Sequence, residues 1–187
     1  MPDTPIHPAA ALVLVWPARG AVLMGQRGAG AVFMPSKVVF PGGRVDPDDR
    51  DGLGISTECA ARLGPQAGAL VACARRELTE ETGLRLHPDA PLQFVFRAIT
   101  PPGSPRRFDA RFFLAKVGDV LGDPCDFSQA QDELSHLAWV GLQVRGLDLP
   151  FITEIVLSEV RAIMAGATQP GVPFFDNAGP VPTFRRL

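Results

Sequence analysis

Three carboxylates near the middle of the chain have a spacing suited to metal binding. Glu77, Glu80 and Glu81 stand at positions i, i+3 and i+4, which share one face of an α-helix. Because like charges this close repel one another, a divalent cation gives a physical reason for clustering them. Hard oxygen ligands suit Mg²⁺ or Mn²⁺. The alternative is a solvated acidic stripe on an exposed helix.

The same helix has a second, apolar face. Val71, Ala74 and Leu78 recur at helical spacing and would anchor the helix to a core. Gly83 follows as a helix-stop signal. We therefore predict a helix from about Gln66 to Thr82.

A glycine turn upstream of this helix completes a longer pattern. Residues 40–46, Phe-Pro-Gly-Gly-Arg-Val-Asp, close an apolar run. Together the two segments resemble the signature of the Nudix hydrolases, G-x5-E-x7-R-E-U-x-E-E-x-G-U, in which U is a bulky aliphatic residue. The second half matches at every fixed position, namely Arg76, Glu77, Leu78, Glu80, Glu81, Gly83 and Leu84.

The first half of the signature departs from the pattern. It begins at Gly43, and Asp49 stands where the pattern has its first Glu. The pattern then has seven residues before the Arg, whereas this chain has 26, an insertion of 19. Asp49 is the first candidate for the orienting acid. Asp46 and Asp48 are alternatives, and the last alternative is that none of the three aspartates orients the site.

The resemblance implies hydrolysis of a diphosphate linked to another moiety, by attack of water on phosphorus. A metal ion would neutralise the phosphate oxygens and lower the pKa of a bound water. By resemblance, Glu77 and Glu81 are the chief metal ligands, and Glu80 joins them directly or through water. Arg76 would orient a Glu of the site by a charge-assisted hydrogen bond.

The general base is expected outside the signature. Several Nudix enzymes use a Glu before the last core strand, and Glu133 has this position, ahead of Trp139. Glu133 is therefore our candidate, and the alternative is an acid that favours a helix N-terminus.

Substrate contacts are predicted around the glycine pair. Gly42 and Gly43 allow a sharp turn and a close approach of backbone to a ligand. Four arginines on nearby or flanking loops are candidates for phosphate contacts, and the alternative for each is a side chain exposed to solvent. These arginines are Arg44, Arg27, Arg106 and Arg107.

Further segments resemble one branch of the family, the coenzyme A and acyl-CoA diphosphatase-like enzymes with an enlarged loop in the signature. They are the Asp-rich insertion and residues 33–35, 39–43, 100–101, 106–109 and 112–113. The branch implies CoA or acyl-CoA as substrate, and ADP-ribose or a nucleoside diphosphate sugar is the near rival. A non-catalytic, nucleotide-binding sensor with a degenerate signature is the alternative from another class.

The order of elements predicts the α/β class. The continuous apolar run over residues 9–16 predicts a strand buried on both faces. Further strands are predicted over residues 21–26, 37–40, 92–99, 109–117 and 137–142, and further helices over 56–63, with Ser56 as N-cap, and 150–164. A mixed sheet between helices is compatible with the α/β/α sandwich of the Nudix fold.

The length of 187 residues predicts a single domain. Residues 1–8 are expected to form an arm, and residues 168–187 a Pro-rich tail. Residues 44–65 form the insertion, which we expect to pack as an extra helical turn beside the site.

Composition excludes several partners. The net charge of −2 provides no electrostatic footprint for nucleic acid or an anionic membrane. The resemblance to the Nudix hydrolases implies a small-molecule diphosphate as the partner. The longest apolar run is too short to span a bilayer and no signal peptide is visible, so a cytoplasmic location is expected. Cys59, Cys73 and Cys125 have irregular spacing that indicates neither disulfides nor zinc. A homodimer is compatible with the sequence.

Overall fold

The computed structural model describes residues 4–187. The α-helices are α1 (Thr57–Leu63), α2 (Ala67–Thr82) and α3 (Phe151–Met164). The strands are β1 (Ile6–Trp16), β2 (Ala21–Arg27), β3 (Val38–Val39), β4 (Gly42–Arg44), β5 (Arg85–Leu86), β6 (Gln93–Ile99), β7 (Arg107–Lys116), β8 (Val120–Leu121), β9 (Leu134–Gly141), β10 (Pro173–Asp176) and β11 (Thr183–Arg186).

Most of the strands form one mixed sheet. Its order is β11-β10-β6-β7-β1-β2-β3, with β4 also paired to β1 and β9 to β2. The pairs β1–β7 and β6–β10 are parallel, and the other pairs in the sheet are antiparallel. The strands β5 and β8 form a separate two-stranded ladder.

The sheet lies between two apolar cores. Leu12 and Leu14 of β1 face the core formed with α1 and α2, whereas Val13 and Val15 face the core formed with α3. This alternation follows from the two-residue period of a strand. The predicted strand buried on both faces and the predicted α/β/α sandwich with a mixed sheet are confirmed.

Helix α2 is anchored by its apolar face. Val71, Ala74 and Leu78 are fully buried against the sheet. The helix ends at Gly83, which has a left-handed φ of 76° and whose N–H donates to the Thr79 carbonyl at 2.8 Å. Such a conformation favours glycine. These bounds agree with the prediction to within one residue.

The insertion packs tightly against α2. Ser56 caps α1, since its Oγ accepts a hydrogen bond from the Cys59 N–H at 3.2 Å. The Gly52 N–H donates to the Gly68 carbonyl at 3.1 Å, and a side chain at Gly52 would collide with the α2 backbone. The segment is therefore held against the helix that carries the three glutamates.

The C-terminal segment joins the sheet. Residues 168–187, expected as a tail, contain β10, which runs parallel to β6, and β11. Arg107 is fully buried, and its guanidinium donates to the carbonyls of Thr100, Asn177 and Ala178 at 2.9 to 3.2 Å. These bonds fasten the segment to the start of β7.

Other bounds differ from the predictions. Residues 6–8 of the expected arm belong to β1, and residues 1–3 of it lie outside the described residues. The strand β8 lies outside the predicted strands. None of the helices within residues 4–187 is long and apolar enough to cross a membrane.

Candidate active site

Arg76 is the centre of the polar site on α2. Its Nε and Nη2 donate to Oδ1 and Oδ2 of Asp49 at 3.0 and 2.9 Å. Its Nη1 donates to Glu77 Oε1 at 2.8 Å and to Glu80 Oε2 at 3.0 Å. The Arg44 carbonyl accepts a further bond from Nη2 at 3.1 Å. One guanidinium thus orients three carboxylates, as a planar fork of donors allows.

Among the aspartates of the insertion, Asp49 is the one held in this network. It is 7% exposed and also accepts a hydrogen bond from the Asp46 N–H at 2.8 Å. Burial alone raises the pKa of Asp49, but the bonds from Arg76 and Asp46 outweigh it, and the pKa is lowered. Asp46 carries a side chain that is 60% exposed and 3.8 Å from Arg76 Nη2.

The glycine pair adjoins the glutamates of α2. The Gly42 N–H donates to Glu81 Oε2 at 2.7 Å. A Cβ at Gly43 would overlap the Glu77 carboxylate, and one at Gly42 would overlap the backbone of β1 at Ala11. Close packing against backbone therefore requires Gly42, whereas the group that approaches Gly43 most closely is a carboxylate of the site itself.

Glu81 has a buried carboxylate whose two oxygens differ in their hydrogen bonding. It is 2% exposed, and its Oε1 has no hydrogen-bond partner among residues 4–187. Burial raises the pKa of Glu81 to about 8; the Gly42 N–H opposes this, and the negative charges of Glu77 and Glu133 add to it. Burial likewise raises the pKa of Glu77. A positive charge beside these carboxylates would relieve the cost of burying them.

The donor set fits a hard divalent cation, although no group of three or more His, Cys, Asp and Glu side chains within residues 4–187 is gathered as a ready metal site. Glu77, Glu80 and Glu81 offer only oxygen, which Mg²⁺ and Mn²⁺ prefer. The partnerless Oε1 of Glu81 is an acceptor that a cation would satisfy. Glu80, with a side chain 40% exposed, lies on the solvent side of the group.

Glu133 approaches the same site from the segment before β9. Its Oε1 accepts a hydrogen bond from Arg27 Nη2 at 3.0 Å, and its side chain is 57% exposed. Its charge acts on both Glu77 and Glu81. The Arg27 Nε is bonded to the Phe33 carbonyl at 3.0 Å, so this arginine links a loop to the candidate base.

A cavity of about 800 Å³ opens beside the glycine pair. Gly42, Gly43, Arg44, Arg27 and Glu133 line its polar part. Its other walls are mainly apolar or aromatic, and they include Phe33, Phe108, Phe112, Phe151, Phe175 and Ile152.

The predicted phosphate-binding arginines have different environments. Arg44 and Arg106 are exposed at the cavity, and Arg27 is paired with Glu133. Arg107 also lines the cavity, but its guanidinium is bonded to main-chain carbonyls. These bonds hold the C-terminal segment, and a contact of Arg107 with a phosphate stays a prediction.

Several cavity residues were missed by sequence reasoning. Phe151 and Phe175 contact each other edge to face at 5.9 Å, and both line the cavity from segments beyond the signature. His7 lines it as well. The one available signal was the pair Phe174-Phe175, which is unusually apolar for a Pro-rich tail.

Comparisons with known proteins agree with this geometry. A model of the NUDIX domain matches residues 5–149. A crystal structure of a NUDIX hydrolase from Alicyclobacillus acidocaldarius is 27% identical, with a TM-score of 0.65 over 87% of this chain and 92% of that chain. No curated protein sequence matches the chain.

Two further structures share the fold. A MutT NUDIX hydrolase from Burkholderia pseudomallei is 19% identical, with a TM-score of 0.59 over 83% of this chain and 98% of that chain. An Ap4A hydrolase from C. elegans is 20% identical, with a TM-score of 0.56 over 86% of this chain and 99% of that chain. Since the domain model covers most of the sequence, the chain belongs to the NUDIX family and is a Nudix hydrolase acting on nucleoside diphosphate derivatives.

Proposed function

We propose that this Nudix hydrolase cleaves the diphosphate bond of coenzyme A or an acyl-CoA. The observation that carries the proposal is the cavity of about 800 Å³, which begins at the glycine pair and continues between apolar walls. A nucleoside diphosphate joined to a long, largely apolar group suits such a shape. The resemblance of the insertion and of residues 33–35, 100–101 and 106–109 to the acyl-CoA diphosphatase-like branch supports the same substrate.

Nudix hydrolases generally use divalent metal ions, and Mg²⁺ or Mn²⁺ is proposed here. Glu77 and Glu81 would be the chief ligands, with Glu80 joining directly or through water. When bound, the ion would neutralise phosphate oxygens and lower the pKa of a bound water. The partnerless, buried Oε1 of Glu81 supports its place among the ligands.

Arg76 and Asp49 act as positioning residues in this proposal. Arg76 holds the Glu77 and Glu80 carboxylates at 2.8 and 3.0 Å, and Asp49 fixes the guanidinium from the opposite side. The Gly42 N–H orients Glu81 by a bond to Oε2. Preorganised carboxylates need no rearrangement at the moment of reaction.

Glu133 is the proposed general base, which would take the proton of the attacking water. Its exposed carboxylate at the cavity and its hydrogen bond to Arg27 support this role. Arg44, Arg27 and Arg106 are the proposed phosphate contacts. We propose that residues 150–187 belong to the same domain as the rest of the chain, because Phe151 and Phe175 line the cavity.

The test is product formation over a panel of CoA, acyl-CoA, ADP-ribose, NADH and diadenosine polyphosphates, with Mg²⁺, with Mn²⁺ and with chelator. We expect chelator-sensitive cleavage of CoA or acyl-CoA to a phosphopantetheine product. Cleavage of ADP-ribose alone would keep the chemistry and reject this substrate. Tight binding of one compound without cleavage of any would identify a nucleotide sensor.

A further inference from the structure

One row of residues runs straight across the sheet. Arg44 of β4 is paired with Ala9 of β1, Ala9 with Ala110 of β7, Ala110 with Ala98 of β6, and Ala98 with Phe175 of β10. All five residues line the cavity. The cavity floor is thus a line of methyl groups between a cation and an aromatic ring.

The row lies on the face of the sheet that carries α3. Residues in register on neighbouring strands point to the same face, and Ala98 and Ala110 pack in the core that includes α3. Larger side chains stand beside this line, among them Phe40 and Phe112, whose rings meet edge to face at 6.3 Å. The alanines therefore form a trough whose direction is perpendicular to the strands.

The trough has a definite length. It crosses four strand-to-strand intervals of about 4.8 Å, so Arg44 and Phe175 are roughly 19 Å apart. At its far end Phe175 contacts Phe151, which is 62% exposed and so provides a partly open aromatic wall. Its near end adjoins the glycine pair, where the diphosphate is proposed to bind.

We propose that Ala9, Ala110 and Ala98 are specificity-determining residues whose small side chains admit a long, flexible, largely apolar arm attached to the diphosphate. The arm lies across the sheet and ends against Phe151 and Phe175. The inference rests on the proposed function for the position of the diphosphate, and it adds which residues select the group beyond it.

The first test compares two substrates that both contain an adenosine diphosphate, an acyl-CoA, whose ribose carries an additional 3′-phosphate, and a short-armed diphosphate such as ADP-ribose. Ala110→Leu places a branched side chain at the middle of the trough. We expect the ratio of kcat/KM for the long-armed to the short-armed substrate to fall at least about tenfold, chiefly through KM. The control is Ala138→Leu, the same change on the exposed face of β9 and away from the cavity. An unchanged ratio in Ala110→Leu overturns the proposal.

A second test does not depend on which compound is hydrolysed. Calorimetry would measure the binding of n-alkyl phosphates from butyl to dodecyl. In the wild type, each methylene buried in the trough should tighten binding by roughly two- to fourfold. In Ala110→Leu this gain should stop at a short chain, and in Phe175→Ala it should be lost for the longest chains only. If the dissociation constant of the wild type is the same for all alkyl chain lengths, the proposal is overturned.

The proposed substrate and the proposed trough can be rejected independently of each other. Chain-length-dependent binding without cleavage of any CoA compound rejects the proposed substrate and retains the trough. Cleavage of acyl-CoA with no effect of Ala110→Leu on either measurement retains the substrate and rejects the trough. Thermal unfolding of each variant shows whether the fold is kept, and Phe175→Ala supplies an independent answer if Ala110→Leu does not fold.

Discussion

Arg76 and Asp49 are joined by two parallel hydrogen bonds, Nε to Oδ1 at 3.0 Å and Nη2 to Oδ2 at 2.9 Å, although they are 27 positions apart in the sequence. The same guanidinium donates to Glu77 and Glu80. Asp49 therefore holds the guanidinium that contacts Glu77 and Glu80.

Replacing Asp49 should destabilise the fold in a pH-dependent way. We expect Asp49→Asn to lower the free energy of unfolding at neutral pH by about 2 kcal/mol, because a buried, charge-assisted bond to Arg76 is lost. The folded-state pKa of Asp49 lies below its ordinary value of 3.8, so its charge stabilises the protein above that value. The difference from wild type should then shrink as the pH falls through the folded-state pKa. Urea unfolding across this range measures it.

Asp46→Asn is the matched control for Asp49. Its side chain is 60% exposed and 3.8 Å from Arg76 Nη2, so the free energy of unfolding should change by less than about 0.5 kcal/mol. A loss as large as that of Asp49→Asn would transfer the orienting role to Asp46.

Glu81→Gln should abolish turnover while the fold stays intact. The change removes the charge of a proposed metal ligand with little change in volume, and we expect kcat to fall at least about 100-fold at saturating Mg²⁺. Circular dichroism and the thermal midpoint report the fold. Glu58→Gln is the control, since Glu58 lies on α1 with a side chain 73% exposed. Wild-type activity in Glu81→Gln would show that Glu81 is not a metal ligand.

Gly43→Ala should disturb the site by a steric route. The added Cβ would overlap the Glu77 carboxylate, so that Glu77 must move or β4 must shift. We expect kcat to fall at least about tenfold, together with a loss of about 1–3 kcal/mol in the free energy of unfolding. In Gly28→Ala the Cβ meets nothing within 4 Å, so this variant should match the wild type in both measurements.

Glu133→Gln distinguishes a general base from a simple partner of Arg27. Loss of a base should lower kcat by about 100-fold or more, with KM nearly unchanged. If Glu133 only holds Arg27 through their 3.0 Å hydrogen bond, KM should rise while kcat is kept. Asp132→Asn, at the neighbouring exposed acid, is the control.

Local rules explain which elements could be predicted from the sequence. The apolar face of α2, its end at Gly83, the Ser56 cap and the doubly buried β1 each follow from a few neighbouring residues. The two-residue strands β5 and β8 are too short to show any periodicity. The pairing of β10 with β6 brings Phe174 beside Arg97 and Phe175 beside Ala98, and no local pattern encodes contacts between segments so far apart in the sequence.

The candidate site was predictable only in part for the same reason. Glu77, Glu80 and Glu81 share one helix, so their proximity follows from spacing alone. The choice among three aspartates in the insertion required the structure, because it depends on which side chain is buried beside Arg76.

The ion pair of Asp49 and Arg76 spans the part of the chain whose length departs from the signature. The 26 residues between Asp49 and Arg76 begin and end at this ion pair, so the two side chains meet at 2.9 Å despite the longer connection. Lengthening such a connection from seven to 26 residues costs only about 1 kcal/mol in loop-closure entropy, which the packing of α1 can offset. Fixed-length searches for the signature would overlook proteins built in this way.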